Sequence, residues 1–122
     1  MRTMGVKLNF FRTETEGESY TAGQTIFTEG DMGAAMYVVL EGEVELLING
    51  KVVETVGVDE PFGEMALIDQ APRTATAVAK TQARLLTIPE NRFLFMVSAM
   101  PQFSLQIMRV MADRLRKMNA RE

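Results

Sequence analysis

Residues 62–78 read FGEMALIDQAPRTATAV. Gly63 allows a sharp turn, and residues 64–68 are helix formers apart from the β-branched Ile68. The free N–H groups at the start of so short a helix suit an anion. Ala66 and Ala75 leave room for a ligand to approach the backbone. Pro72 disfavours helix at Ala71, so Arg73 opens a strand instead of extending the helix. Arg73 offers a planar fork of donors that matches two oxygens of one phosphate. Glu64, ionised at neutral pH, only accepts hydrogen bonds and calls for a hydroxyl or N–H partner. A phosphate donor beside a hydroxyl acceptor describes a sugar phosphate. On spacing alone, the commoner reading is an ordinary surface ion pair between Glu64 and Arg73 across the loop, and the ligand site is the rarer one.

Outward from this stretch, residues 19–88 read as short strands cut by turns every 6–12 residues, the pattern of a sandwich or barrel. Strands are expected at Thr25–Thr28, Met36–Leu40, Ala75–Lys80 and Arg84–Ile88. Val44, Leu46 and Ile48 alternate with Glu43, Glu45 and Leu47, with one blemish at Leu47. Asn49-Gly50 then joins this run to Val52–Val56. Both residues tolerate the positive φ of a type I′ turn, which makes the dipeptide a strong hairpin signal. Pro89 stops the last strand, and the period becomes helical. Helices are expected over Asn91–Ala99 and from Pro101 onward, Pro101 suiting a first turn. In the second, Met108, Met111, Leu115 and Met118 form one apolar stripe, which Phe103, Ile107 and Val110 widen. Arg109 and Asp113 are placed to pair at i, i+4. Arg114, Arg116, Lys117 and Arg121 suit the negative end of the helix dipole and read as a solvated basic face. The fold class is mainly β with C-terminal helices (α+β). It is an antiparallel β roll or jelly-roll-like barrel at 19–88, a short helical cassette between strands, and two helices over 90–120. The whole of 1–122 reads as a single domain.

Composition excludes several classes of function. The chain has 122 residues, 47% of them apolar, enough for one core without cross-links. Cys and His are both absent, which removes disulfides, thiolate zinc sites and His-based nucleophiles or proton shuttles. A net charge of −3 gives no global electrostatic reason to bind nucleic acid. No apolar run approaches the ~20 residues of a membrane span. The N-terminal MRTMGVKLNFF lacks the layout of a signal peptide, so the reading is soluble and cytoplasmic, without a membrane. Glu14, Glu16 and Glu18 read as a solvated loop. Of the ten Met residues, Met108, Met111 and Met118 share a helical stripe with Leu115 and read as core packing or a helix–helix seam, not as a soft-metal site. Asp31 and Asp69 sit at turns, where short polar side chains bond local backbone. Tyr37 reads as a core residue. Enzymatic phosphodiester chemistry would need a metal cluster or a nucleophile with its base, and the sequence shows neither.

FGEMALIDQAPRTATAV closely resembles the phosphate-binding cassette of the cyclic nucleotide-binding domain family. Residues 28–46, TEGDMGAAMYVVLEGEVEL, are similar to the family's stretch leading into its central strands. Residues 107–119, IMRVMADRLRKMN, resemble the long C-terminal helix of the catabolite-activator-like branch. The resemblance implies that Arg73 clamps a cyclic phosphate and that Glu64 accepts from the ribose 2′-hydroxyl. Backbone N–H groups near Gly63, Met65, Ala66 and Thr74, within a cassette that opens at Phe62, would complete the cradle. By the same resemblance Leu46 and Val56 would line the purine pocket, and Met118 and Asn119 would reach the base from the helix that acts as a lid.

The family implies a regulatory sensor that binds cyclic AMP or cyclic GMP as a ligand, needs no cofactor or metal, and signals by moving its C-terminal helix. Cyclic AMP is favoured by likeness to the catabolite-activator branch. Thr74 speaks for cyclic GMP, since relatives preferring guanine often carry a hydroxyl residue directly after the arginine. Only about 18 residues precede the first expected strand, so the family's N-terminal helical segment reads as shortened. No helix-turn-helix or other output domain follows, so no direct DNA binding is expected. The signal is then expected to pass through a homodimer formed by the C-terminal helix, or to a separate, unidentified effector protein. The alternative is a scaffold of the same fold that no longer binds nucleotide, against which Glu64 and Arg73 both argue.

Overall fold

Two four-stranded antiparallel sheets pack face to face, and a helical pair covers one of them. The computed structural model describes residues 6–8 and 16–120, without the side chains of 118 and 120. The expectations that rest on Glu14 and Arg121, and the side-chain role of Met118, lie outside the described residues.

The strands are β1 (Glu18–Tyr20), β2 (Thr25–Phe27), β3 (Ala35–Glu41), β4 (Val44–Ile48), β5 (Lys51–Val56), β6 (Pro61–Phe62), β7 (Thr76–Ala79) and β8 (Ala83–Pro89). The cassette helix α1 (Met65–Asp69) lies between β6 and β7; α2 (Glu90–Ala99) and α3 (Pro101–Ala120) end the described chain. One sheet has the order β1-β8-β3-β6 and the other β2-β7-β4-β5. The expected β roll with C-terminal helices is the fold observed.

The Asn49-Gly50 hairpin forms, with φ of 52° and 77° at its two turn residues and Ile48 paired to Lys51. The blemish in the β4 alternation corresponds to a bulge, since Leu46 pairs with Glu54 but Leu47 with Val52. The extra residue is Val53, and a bulge re-aims the side chains beside it. Two strands escaped the sequence reading. β1 includes Glu18, against the solvated loop that its acidic cluster suggests, and β6 contains Pro61. Pro61 is tolerated because β6 is the edge of its sheet.

The core has two parts. Between the sheets lie Val39, Val44, Val56, Phe62, Ala77, Ala79, Ala83 and Leu85. Between the first sheet and the helices lie Met36, Val38, Leu86, Ile88, Phe93, Met96, Phe103 and Ile107, with Leu67 of the cassette and Leu8. The α3 residues Phe103, Ile107 and Val110 are all buried, each contributing about 1.5–3 kcal/mol. Met108 and Leu115, on the other strip, are each 60% exposed. The expected Arg109–Asp113 pair is replaced by Asp113 pairing with Lys117 (3.1 Å) and, more distantly, Arg116 (3.9 Å). α2 and α3 meet at a 112° bend around Met100, and further along α3 Arg114 reaches Glu54 of β5.

Candidate functional site

The cassette leaves β6 through Gly63, whose φ of 80° suits only glycine. α1 then runs for five residues, burying Ala66 and Leu67, and ends at Gln70 in the left-handed conformation. The return segment is pinned by its backbone. Arg73 N–H donates to Asp31 O (2.7 Å), Gly30 N–H donates to Arg73 O (2.9 Å), and Met32 bridges Pro72. Asp31 behaves as a turn residue, accepting from the Thr28 N–H at 3.2 Å. Between cassette, β2, the β4–β5 hairpin and α3 lies a cavity of about 460 Å³.

Arg73 is 7% exposed and lines this cavity. Its Nη1 donates to Gly63 O (2.7 Å) and its Nη2 to Ala35 O (2.6 Å). The guanidinium carbon lies 4.0 Å from the centre of the Phe27 ring and 5.9 Å from that of Tyr37. These rings and Phe62 form a cluster, with Tyr37 and Phe62 stacked at 5.2 Å. Among the described residues no carboxylate pairs with Arg73. Burial lowers its pKa, opposed by Tyr37, Glu64 and Asp31. It remains a cation at any physiological pH.

Glu64 is 1% exposed and does not pair with Arg73. Its Oε1 accepts a hydrogen bond from Arg114 Nη1 on α3. Arg114 also donates from Nη2 to Pro61 O (2.6 Å) and from Nε to Glu54 (3.2 Å). Burial alone would lower the Arg114 pKa, but Glu64 and Glu54 together raise it. One arginine therefore ties α3 to the cassette, to β6 and to β5. Arg114 is not part of a solvated basic face, because the turn of α3 that carries it packs against the sheet. Glu64 keeps lone pairs beyond the one that Arg114 occupies, so its capacity to accept from a hydroxyl survives.

The site thus has a cationic end without a counter-carboxylate, a carboxylate beyond it, and an apolar wall of Leu46, Ile48 and Val53. The profile of the cyclic nucleotide-binding domain family matches residues 17–99.

The chain belongs to the cyclic nucleotide-binding domain family. It is similar to the CRP-like cAMP-activated global transcriptional regulator of Mycobacterium tuberculosis, with 30% identity over 105 residues, 82% of this chain and 47% of that protein. Its fold is similar to that of the Thermus thermophilus catabolite activator protein, with a TM-score of 0.78 and 32% identity over 87% of this chain and 52% of that one. It also resembles the EAL enzyme Bd1971 in its cGMP-bound form, with a TM-score of 0.67 and 31% identity over 86% of this chain and 29% of that one. The chain spans about half the length of the first two.

Within this cyclic nucleotide-binding domain, Gly63, Glu64, Met65, Ala66, Arg73, Thr74 and Leu46 all line the cavity. Three other expected residues do not. Val56 is fully buried between the sheets, because at that depth its strand faces the core. Phe62 is likewise core, stacked on Tyr37 beneath the arginine. Asn119 is exposed in the last turn of α3, away from the lining. Sequence reasoning passed over Phe27, Glu54, Arg114 and Lys117, which line the cavity. A signal for Arg114 existed: 103, 107, 110 and 114 fall at i, i+4, i+7 and i+11, so it continues the buried strip. Phe27 stands in a three-residue strand, too short for a periodicity to show its direction.

Proposed function

We propose that this domain reversibly binds a cyclic purine nucleotide, cyclic AMP in preference to cyclic GMP, and works as a regulatory sensor without catalysing a reaction. The observation that carries the reading is Arg73, a buried cation on the cavity wall whose contacts among the described residues are neutral carbonyls and aromatic rings. A buried cation with no carboxylate in direct contact is costly, and an anionic phosphate relieves it. Glu64 is oriented by Arg114 to accept from the ribose 2′-hydroxyl. Backbone at Gly63, Met65, Ala66 and Thr74 completes the cradle, and Leu46 with Ile48 and Val53 packs on the base.

The name of the Mycobacterium tuberculosis relative supports the adenine preference. Thr74 on the cavity wall and the cGMP-bound form of Bd1971 keep cyclic GMP as the competitor. Arg114 supports α3 as the output element, because a ligand that engages Glu64 acts on the same ion-pair group that holds this helix. The exposed Met108 and Leu115 support a homodimer through α3 in the cytoplasm, with a separate effector protein receiving the signal. Among the described residues no single helix is long and apolar enough to cross a membrane.

Calorimetric titration with both nucleotides, followed by product analysis of the spent mixture, tests the reading. Arg73→Ala removes two charge-assisted hydrogen bonds of about 1.5–3 kcal/mol each and is expected to weaken binding at least ~100-fold with the fold intact. Arg73→Lys is expected not to rescue, because a point charge lacks the planar fork. Absence of binding by the wild-type protein overturns the reading in favour of a scaffold, and turnover of the nucleotide overturns the non-catalytic part.

A further inference from the structure

We propose that Phe27 and Gly33 are positioning residues for the Arg73 anion clamp: the Phe27 ring face carries the buried guanidinium in place of a carboxylate, and the missing side chain of Gly33 leaves the space it occupies. This rests on the cyclic-phosphate reading of the site and adds the residues that pre-organise it. A buried arginine is ordinarily compensated by an acid, but a carboxylate partner would compete with the incoming phosphate for the same fork. A π face compensates differently. Its quadrupole attracts the cation from below at 4.0 Å without taking any of the in-plane N–H donors. Two of the five guanidinium donors are held by Gly63 O and Ala35 O, which fix the orientation of the plane. Among the described residues no acceptor takes the other three, which are left for a ligand.

Gly33 closes the remaining side. A Cβ built there overlaps the Arg73 guanidinium carbon, comes to 2.5 Å from Nε and lies 2.9 Å from the Ala66 Cβ. The clash falls on the clamp more than on the backbone. Since the arginine end is the movable party, a methyl at 33 displaces the guanidinium from the ring. Gly63 is constrained as well, since its Cβ would approach Arg73 Nη1 at 2.8 Å and the Phe27 ring at 3.3 Å. The clamp is therefore enclosed by one ring and two glycines drawn from separate parts of the chain.

The experiment has two arms. The first observes the free protein by NMR, following the Arg73 Nε–H resonance. In the wild type it is expected to be resolved, slow to exchange and shifted by the ring current of Phe27. In Phe27→Leu and Gly33→Ala it is expected to move to the position of a solvated arginine, while Phe27→Tyr keeps it. A resonance that is unchanged in Phe27→Leu and Gly33→Ala overturns the proposal whether or not nucleotide binds. The second arm titrates cyclic AMP. Phe27→Leu is expected to weaken binding about tenfold, Phe27→Tyr less than about threefold, and Gly33→Ala at least tenfold. In an Arg73→Gln background Phe27→Leu is expected to add nothing, since Phe27 acts through the arginine. Equal losses in both backgrounds make Phe27 a packing residue and overturn its assignment. Failure of the wild-type protein to bind cyclic AMP refutes the proposed function, and the NMR arm still decides the positioning roles.

Discussion

Arg114 shows how much one side chain holds here. Its side chain is 14% exposed and contacts two carboxylates, Glu54 and Glu64, and the carbonyl of Pro61. Removing its charge leaves Glu64, 1% exposed, without its counterion. Breaking a buried pair on one side costs about 3–5 kcal/mol, more than the pair itself is worth. Arg114→Gln is therefore expected to lower the unfolding free energy by about that amount in urea denaturation, and Glu54→Gln added to it to recover part of the loss. A wild-type denaturation midpoint for Arg114→Gln refutes the role. Charge groups the residue with its basic neighbours, whereas its phase along the helix places it with Phe103, Ile107 and Val110. Glu64 and Arg73 were legible as cavity residues from their own chemistry; their partners were not, since Arg114, Phe27 and Ala35 all lie 38 or more residues away from one or the other.

At the scale of elements, the turns were the surest part of the reading. Asn49-Gly50 has both φ values positive, and a Cβ on Gly50 would meet nothing within 4 Å. Gly42 has φ of 86° as well, but there a Cβ would collide with the carbonyl of Gln82 and come to 2.8 Å from Thr81 Oγ1. Gly50→Ala thus carries only the left-handed penalty, about 1–2 kcal/mol, whereas Gly42→Ala adds a backbone clash. The second is expected to be clearly the more destabilising in paired denaturation curves, and equal costs refute the packing argument. The two missed strands, β1 and β6, have three and two residues, below the length at which alternation is visible. Their pairing is dictated by β8 and β3, which their own sequences do not encode.

For the whole molecule, the outer strip of α3 is the surface that a second copy is expected to cover. Met108 and Leu115 are each 60% exposed, and on α2 Leu94 and Phe95 are 54% and 67% exposed. An isologous pair would set the two α3 strips against each other. Sedimentation at micromolar concentration is expected to give a dimer, and Leu115→Glu a monomer of unchanged stability. A strict monomer in the wild type, with and without cyclic nucleotide, refutes the pairing. The sequence by itself determined the β roll, the hairpin, the helical ending and the cassette with Glu64 and Arg73. Each is encoded within a short window, as a period, a turn dipeptide or a motif, where local sterics and patterning act. Only the tertiary structure decided that Arg114 reaches Glu64, that Phe27 lies beneath Arg73, and that Val56 is core while Val53 and Glu54 face the cavity. Those outcomes depend on how two sheets and a bent helix pair meet, and on a bulge that shifts one strand by a residue. Such contacts join distant segments through the geometry of packing, which no window of sequence contains.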